Sequence, residues 1–135
     1  MKLSQKAEAF LKEPNICVLS TTGPGDWPHA IPMWYLYEDG EIVITTSRKS
    51  QKHLNVARTG KASIVVDQRT PPYYALTIRG DARVGPGLSH DEEIRVAARY
   101  LGDEGARRFM ERFGPGDDAT IRIRPRKCVE YHGIG

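Results

Sequence analysis

Between Ile42 and Val66 the chain carries Arg48, Lys49, Lys52, Arg58 and Lys61 and no Asp or Glu. Thr45, Thr46, Ser47 and Ser50 add hydroxyl groups to the same stretch. The apolar run Ile42–Ile44 reads as a strand, the hydroxyl-rich segment as a turn, and Ser50 as the start of a helix. The junction from a strand to a helix N-terminus offers free backbone N–H groups and the positive end of the helix dipole, both of which favour an anion. Lysine and arginine around that point supply charge-assisted hydrogen bonds to phosphate oxygens. Hydroxyls, helix start and missing carboxylates together point to an anion site rather than to a solvated basic loop.

A second feature lies just upstream, in Pro28-His29-Ala30-Ile31-Pro32-Met33-Trp34-Tyr35. Prolines inside a strand remove ladder donors, which places this piece at a sheet edge or a bulge. Its backbone is then open to a ligand. Met33 and Trp34 project to opposite faces by strand periodicity, so one of them is placed to meet a flat ring laid across the strand. By contrast, no nucleophile–base pair stands out. His29 and His132 fall in strands, His53 in the short helix and His90 in a helix cap, and none sits beside a plausible Ser or Cys nucleophile. The acidic residues gather in the helical region 89–118 and read as solvated faces. Cys17 and Cys128, with no CxxC or CxxH spacing, read as free buried thiols, not as a disulfide or zinc framework. No metal site is expected, and no catalytic residue can be assigned.

The elements that must position these residues follow from the hydropathy pattern. Residues 3–13 form a short amphipathic helix ended by Pro14, and residues 16–22 a first strand. A Gly23-Pro24-Gly25-Asp26 turn leads to a long second strand over 28–38. Asp39-Gly40 is a two-residue hairpin signal, because both turn positions need positive φ. After the third strand come a helix over 50–59 closed by Gly60, a strand over 62–67 and a long strand over 73–84. Ser89-His90-Asp91-Glu92 is a capping-box pattern opening a helix that stops at Gly102. A further helical unit presents Ala106, Phe109, Met110 and Phe113, and a last strand runs from Ala119 to about Tyr131. Tight turns between six successive strands indicate a mainly β antiparallel fold with short helices, a barrel or sandwich rather than a doubly wound parallel sheet, over the whole of residues 1–135 as one domain. The length of 135 residues fits one domain. Hydrophobic residues at 39% and charged residues at 27% exclude disorder and coiled-coil classes. A net charge of +3 is too mild for a nucleic-acid binder, and no apolar stretch suits a membrane span. A cytoplasmic protein is expected.

The runs Ile16–Thr22, Pro28–Trp34, Ile44-Thr45-Thr46-Ser47-Arg48-Lys49-Ser50-Gln51-Lys52-His53-Leu54-Asn55-Val56 and Leu76–Ala82 together resemble the pyridoxamine 5′-phosphate oxidase-like split β-barrel family. The likeness looks closest to its small members that use the deazaflavin F420. It implies a six-stranded split barrel and a homodimer with cofactor sites at the subunit interface. It places the flavin or deazaflavin ring against Pro32, Met33 and Trp34. The phosphate end falls to Thr45, Thr46, Ser47, Arg48, Lys49 and the helix start Ser50-Gln51-Lys52, with Asn55 and Arg79 also assigned to the cofactor. The end of the chain, Arg126–His132, lacks the Arg-and-His substrate-phosphate segment of true pyridoxamine phosphate oxidases, so activity on that substrate is not expected. Hydride chemistry would reside in the cofactor, with the protein binding and orienting it. Five cations, plus Arg79 and Arg83 on another strand, suit the longer anion F420 better than FMN. The expected activity is therefore an F420-dependent reduction of a small unsaturated organic substrate; the alternatives are an FMN oxidoreductase or a non-catalytic flavin or F420 carrier. Loops Gly23–Trp27 and Gln68–Tyr74 are candidate walls of the substrate pocket.

Overall fold

Asp39 and Gly40 adopt φ values of 55° and 73°, as their hairpin signal requires. They join two strands of a sheet seen whole in a computed structural model that describes residues 1–114 and 116–133. The chain order is α1 (Gln5–Lys12), β1 (Cys17–Thr22), β2 (Pro28–Met33), β3 (Leu36–Glu38), β4 (Glu41–Thr46), α2 (Gln51–Thr59), β5 (Lys61–Gln68), β6 (Tyr74–Pro86), α3 (His90–Phe113) and β7 (Ala119–His132). All neighbours pair antiparallel, in the order β2-β1-β5-β6-β7-β4-β3.

Seven strands stand where six were expected. The expected strand over 28–38 breaks at Trp34-Tyr35 into β2 and β3. The cause is Tyr100 of α3. Its hydroxyl accepts from the Tyr35 N–H at 3.0 Å and lies 3.1 Å from the Tyr35 carbonyl, so the backbone groups of Tyr35 face a side chain instead of a strand. The break also explains the closure of the barrel. β2 and β3 form opposite edges of the sheet, yet the chain from Met33 to Leu36 spans at most about 10 Å. The edges must therefore meet, and the sheet curls on itself. Pro28 and Pro32 lie on the edge strand β2, where a missing N–H costs least.

Inside the curl, Cys17 and Leu19 meet Ile42, Ile44, Ile64, Val66, Leu76, Ile78, Ile121 and Ile123. Ala7, Phe10 and Leu11 of α1 and Val56 of α2 join the same core. Buried Tyr35 donates from its hydroxyl to the Leu11 carbonyl at 2.8 Å. The Arg99 guanidinium of α3 donates to the carbonyls of Leu11, Lys12 and Glu13, which α1 leaves without intrahelical partners at its C-terminus. A second cluster of Leu36, Val43 and Val96, with Trp34 and Leu88 against it, seats α3 on the outside of β3 and β4. The Ser89/Glu92 capping box starts α3, and Gly102, at φ 75°, divides it where the sequence places a stop.

β6 and β7 pair along almost their full length, with one register shift beside Arg79/Gly80. Arg126 is the extra residue, and from there outward-facing positions of β7 change parity. Lys127, Val129 and Tyr131 thereby lie opposite Arg79, Thr77 and Ala75. Val18, Val65, Thr77 and Val129 form one register row across that outer face, with Pro32 at its end. Val65, Tyr131 and Ile16 are exposed on or beside it.

Candidate functional site

The turn after β4 is built by its hydroxyls. Ser50 caps α2 by accepting from His53 N–H, and its own proton goes to the Ser47 carbonyl at 2.7 Å. Buried Thr46 lies 2.7 Å from Ser50 Oγ and completes this arrangement as donor. Ser47 Oγ accepts from Lys49 N–H. These side chains shape the turn, while helical geometry leaves the first-turn N–H groups of Gln51 and Lys52 without an intrahelical acceptor. Arg48 and Lys49 are exposed and Lys52 is half-buried. Among the described residues no carboxylate pairs with these three side chains. Three cations without a carboxylate partner among the described residues and two free N–H groups thus lie at or next to one helix start.

The turn is not as free of acid as its sequence. Asp118 Oδ1 accepts from the Arg48 N–H at 2.9 Å, a contact across 70 positions that no local pattern announces. Nor do all five cations gather there. Arg58 lies in the last turn of α2 and donates to the Thr22 carbonyl, and Lys61 begins β5. Seven residues of helical rise set Arg58 about 10 Å along the axis from the helix start at Gln51, and Lys61 lies beyond it. Arg79 is exposed on β6, in a separate cleft of about 460 Å³ with Ser20, Lys61, Ser63, Asp81 and Arg126. Arg83, on the same strand, forms a bidentate pair with Glu41.

Asn55 is fully buried rather than open to a ligand. Its Oδ1 accepts from Gln51 Nε2 at 2.6 Å and its Nδ2 donates to Thr21 Oγ1 at 3.0 Å, tying the start of α2 to β1. Asn55→Ala is expected to lose about 2 kcal/mol of folding stability in urea denaturation, because buried Thr21 Oγ1 and half-buried Gln51 Nε2 both lose their partner.

Pro32 faces outward on β2, whereas Met33 packs against the core. Trp34 turns the other way and stacks on Tyr100, with centroids 5.0 Å apart and planes at 6°, with Phe109 at 5.3 Å. Trp34 and Thr45 line one cleft of about 290 Å³ between β4 and α3. The far wall is Val96, Ala97, Phe109, Met110 and Phe113, with Glu93 and Asp117. Sequence reading takes the acids of 89–118 as solvated. Glu93 departs from this: burial and the Asp117 carboxylate raise its carboxyl above the usual range, with His90 acting the other way. The signal that would have found it is the spacing Glu93, Val96, Ala97, a helical stripe containing one acid.

Elsewhere the chemistry is quiet. Burial pushes the Cys17 thiol up to about 12, far from a reactive thiolate at neutral pH. Among the described residues no three His, Cys, Asp or Glu side chains gather as metal ligands, and no helix is long and apolar enough to cross a membrane.

The profile of the family described as pyridoxamine 5′-phosphate oxidase matches residues 3–131. An F420H(2)-dependent biliverdin reductase of Mycobacterium tuberculosis (strain CDC 1551 / Oshkosh) is 30% identical over 103 residues, 73% of each chain. Among solved structures, a conserved hypothetical protein from Mycobacterium tuberculosis superposes with a TM-score of 0.75 at 26% identity, covering 98% of this chain and 87% of the other. A structure titled F420 Reductase gives 0.76 at 23% identity, covering 94% and 98%, and so speaks for the fold alone.

Proposed function

Because the chain belongs to the pyridoxamine 5′-phosphate oxidase family, in its split-barrel fold, we propose that it is an F420-dependent oxidoreductase acting on a small unsaturated organic substrate. The observation that carries this reading is the helix start where Arg48, Lys49 and Lys52, without a carboxylate partner among the described residues, stand beside the free N–H groups of Gln51 and Lys52. That set fits the phosphate end of such a cofactor in charge and in donor geometry. The F420H2 dependence of the 30% identical relative favours the deazaflavin. When bound, the deazaflavin supplies the hydride; the protein supplies position and charge. Thr46, Ser47 and Ser50 fix the turn, Thr45 precedes it on β4, Gln51 and Asn55 lock the helix to β1, and Arg48, Lys49 and Lys52 grip the anion. Pro32, Met33 and Trp34 set the strand against which the ring lies, and Tyr100 holds the break beside it.

One observation favours FMN as a second reading. Only three of the five cations stand at the helix start, a number that suits a single phosphate as well as a longer anion. We assign the working unit as a cytoplasmic homodimer, with the cofactor at the subunit interface. The uncovered row Val18, Val65, Thr77 and Val129 supports the pairing, and a second subunit against it gives the Arg79 cleft a role. The unpaired thiols Cys17 and Cys128 agree with a reducing compartment.

Fluorescence titration with F420 and with FMN tests the reading. F420 is expected to bind at least tenfold more tightly. Tighter FMN binding selects the second reading, and no binding of either overturns both. Turnover of the reduced cofactor separates an enzyme from a carrier, and a monomer in light scattering at micromolar concentration removes the shared site.

A further inference from the structure

The cleft between α3 and β4 has a charge opposite to that of the helix start beside it. Its wall is aromatic: Trp34 packs on Phe109, and Phe109 lies 5.0 Å from Phe113. Phe113 is 57% exposed, a large apolar surface left facing water at the cleft. Two carboxylates, Glu93 and Asp117, open into the same space. Among the described residues neither forms an ion pair, and no Lys or Arg lines the cleft. The neighbouring charges are accounted for. His90 lies near Glu93, Asp118 is held by the Arg48 N–H, and Arg112 lies over the Phe113 ring at 5.3 Å without reaching either carboxylate.

We infer that this cleft receives the positively charged nitrogen of an organic cation, an alkyl- or quaternary ammonium group carried by the substrate. Aromatic faces attract such a group through their quadrupole, and the two carboxylates neutralise its charge. A neutral apolar ligand would use the rings and leave both acids without a counter-charge as it displaced their water. An anion is repelled. The volume of about 290 Å³ lies at the small end of ligand pockets, which run to roughly 300–1,000 Å³, and suits one headgroup rather than a whole cofactor. The same acids keep a phosphate on the helix side, so the two halves of the site sort their ligands by sign. That the cation belongs to the substrate rests on the function proposed above; that the cleft takes a cation rests on the cleft alone.

Trp34 is one of two tryptophans, the other being Trp27, which is 77% exposed. In a Trp27→Phe background, the fluorescence of Trp34 reports the cleft directly. Choline is the probe, and 3,3-dimethylbutan-1-ol is its neutral counterpart of the same shape. Choline is expected to change the signal saturably, with at least tenfold higher affinity than the alcohol. Glu93→Gln combined with Asp117→Asn is expected to reduce choline affinity at least tenfold and leave the alcohol unchanged. If that double variant does not fold by circular dichroism, raising the salt from 50 to 500 mM serves in its place and should weaken choline alone. Equal affinity for the two probes, no saturable response to choline, or an effect of the variant or the salt on both probes alike overturns the inference. F420 titration of the same variant keeps the readings apart: retained cofactor binding with choline lost is the expected pattern.

Discussion

The Lys52→Glu protein is expected to bind its cofactor at least a hundredfold more weakly than the parent chain, in the titration that compares F420 with FMN. Lys52 is the half-buried cation at the start of α2, beside its own free N–H group. A charge-assisted hydrogen bond to an anion contributes about 1.5–3 kcal/mol, which alone corresponds to roughly ten- to a hundredfold in affinity. Glutamate removes that contact and sets a negative charge against the phosphate, so the loss exceeds that of simple deletion. Lys52→Gln, which deletes without repelling, should fall between the two. The fold is not at risk, since an acidic side chain in the first turn of a helix interacts favourably with its dipole. The variant should therefore melt within a few degrees of the parent, and its defect is one of binding. Unchanged affinity would remove the helix start from the cofactor site, whichever cofactor binds.

What local sequence revealed and what it concealed divide along the range of the interactions. Asp39-Gly40, the Ser50 cap with Gly60 in the left-handed conformation, and the Ser89/Glu92 box stand where their residues indicate, because each depends on neighbours within four positions. The edge location of β2 was equally legible, since Pro28 and Pro32 exclude a central strand. The break at Trp34-Tyr35 was not. Nothing in a run of apolar and aromatic residues weakens a strand, and the group that interrupts it, Tyr100, comes from 65 positions away. The same holds for the site. Hydroxyls and cations of 45–52 suggest the proposed anion site by adjacency, whereas Asp118 reaches Arg48 only through the β4–β7 pairing. The five cations looked like one cluster because sequence distance hides the length of α2, which carries Arg58 and Lys61 to its far end. Glu93 joins Trp34 and Thr45 only after α3 packs on the outside of the barrel.

Gly80→Ala is expected to be the most damaging small substitution in the barrel. A Cβ built on Gly80 would lie 2.0 Å from the Arg124 carbonyl oxygen, 2.7 Å from its carbon and 3.1 Å from Pro125 Cα. All three are backbone atoms, so no rotamer change relieves the overlap. β6 and β7 would have to separate at the bulge, in the middle of the longest pairing of the sheet. Overpacking a closed interior costs about 1–3 kcal/mol, occasionally more, and a clash with backbone on this scale belongs at or above the upper end. A loss of about 3 kcal/mol should lower Tm by roughly 10 °C for a domain of this size. Gly40→Ala is the control. Gly40 has positive φ but nothing within 4 Å of an added Cβ, so its cost is backbone strain alone, about 1 kcal/mol. The bulge also sets which side chains of β7 face outward, since it moves Lys127, Val129 and Tyr131 to the face shared with Arg79 and Val65. A Gly80→Ala chain that still folds should therefore lose the proposed self-association as well as stability, which light scattering at low temperature can read separately from the melt. If Gly80→Ala melts within two or three degrees of the parent, the close approach of β6 to β7 is absent, and with it the physical reason for the parity change.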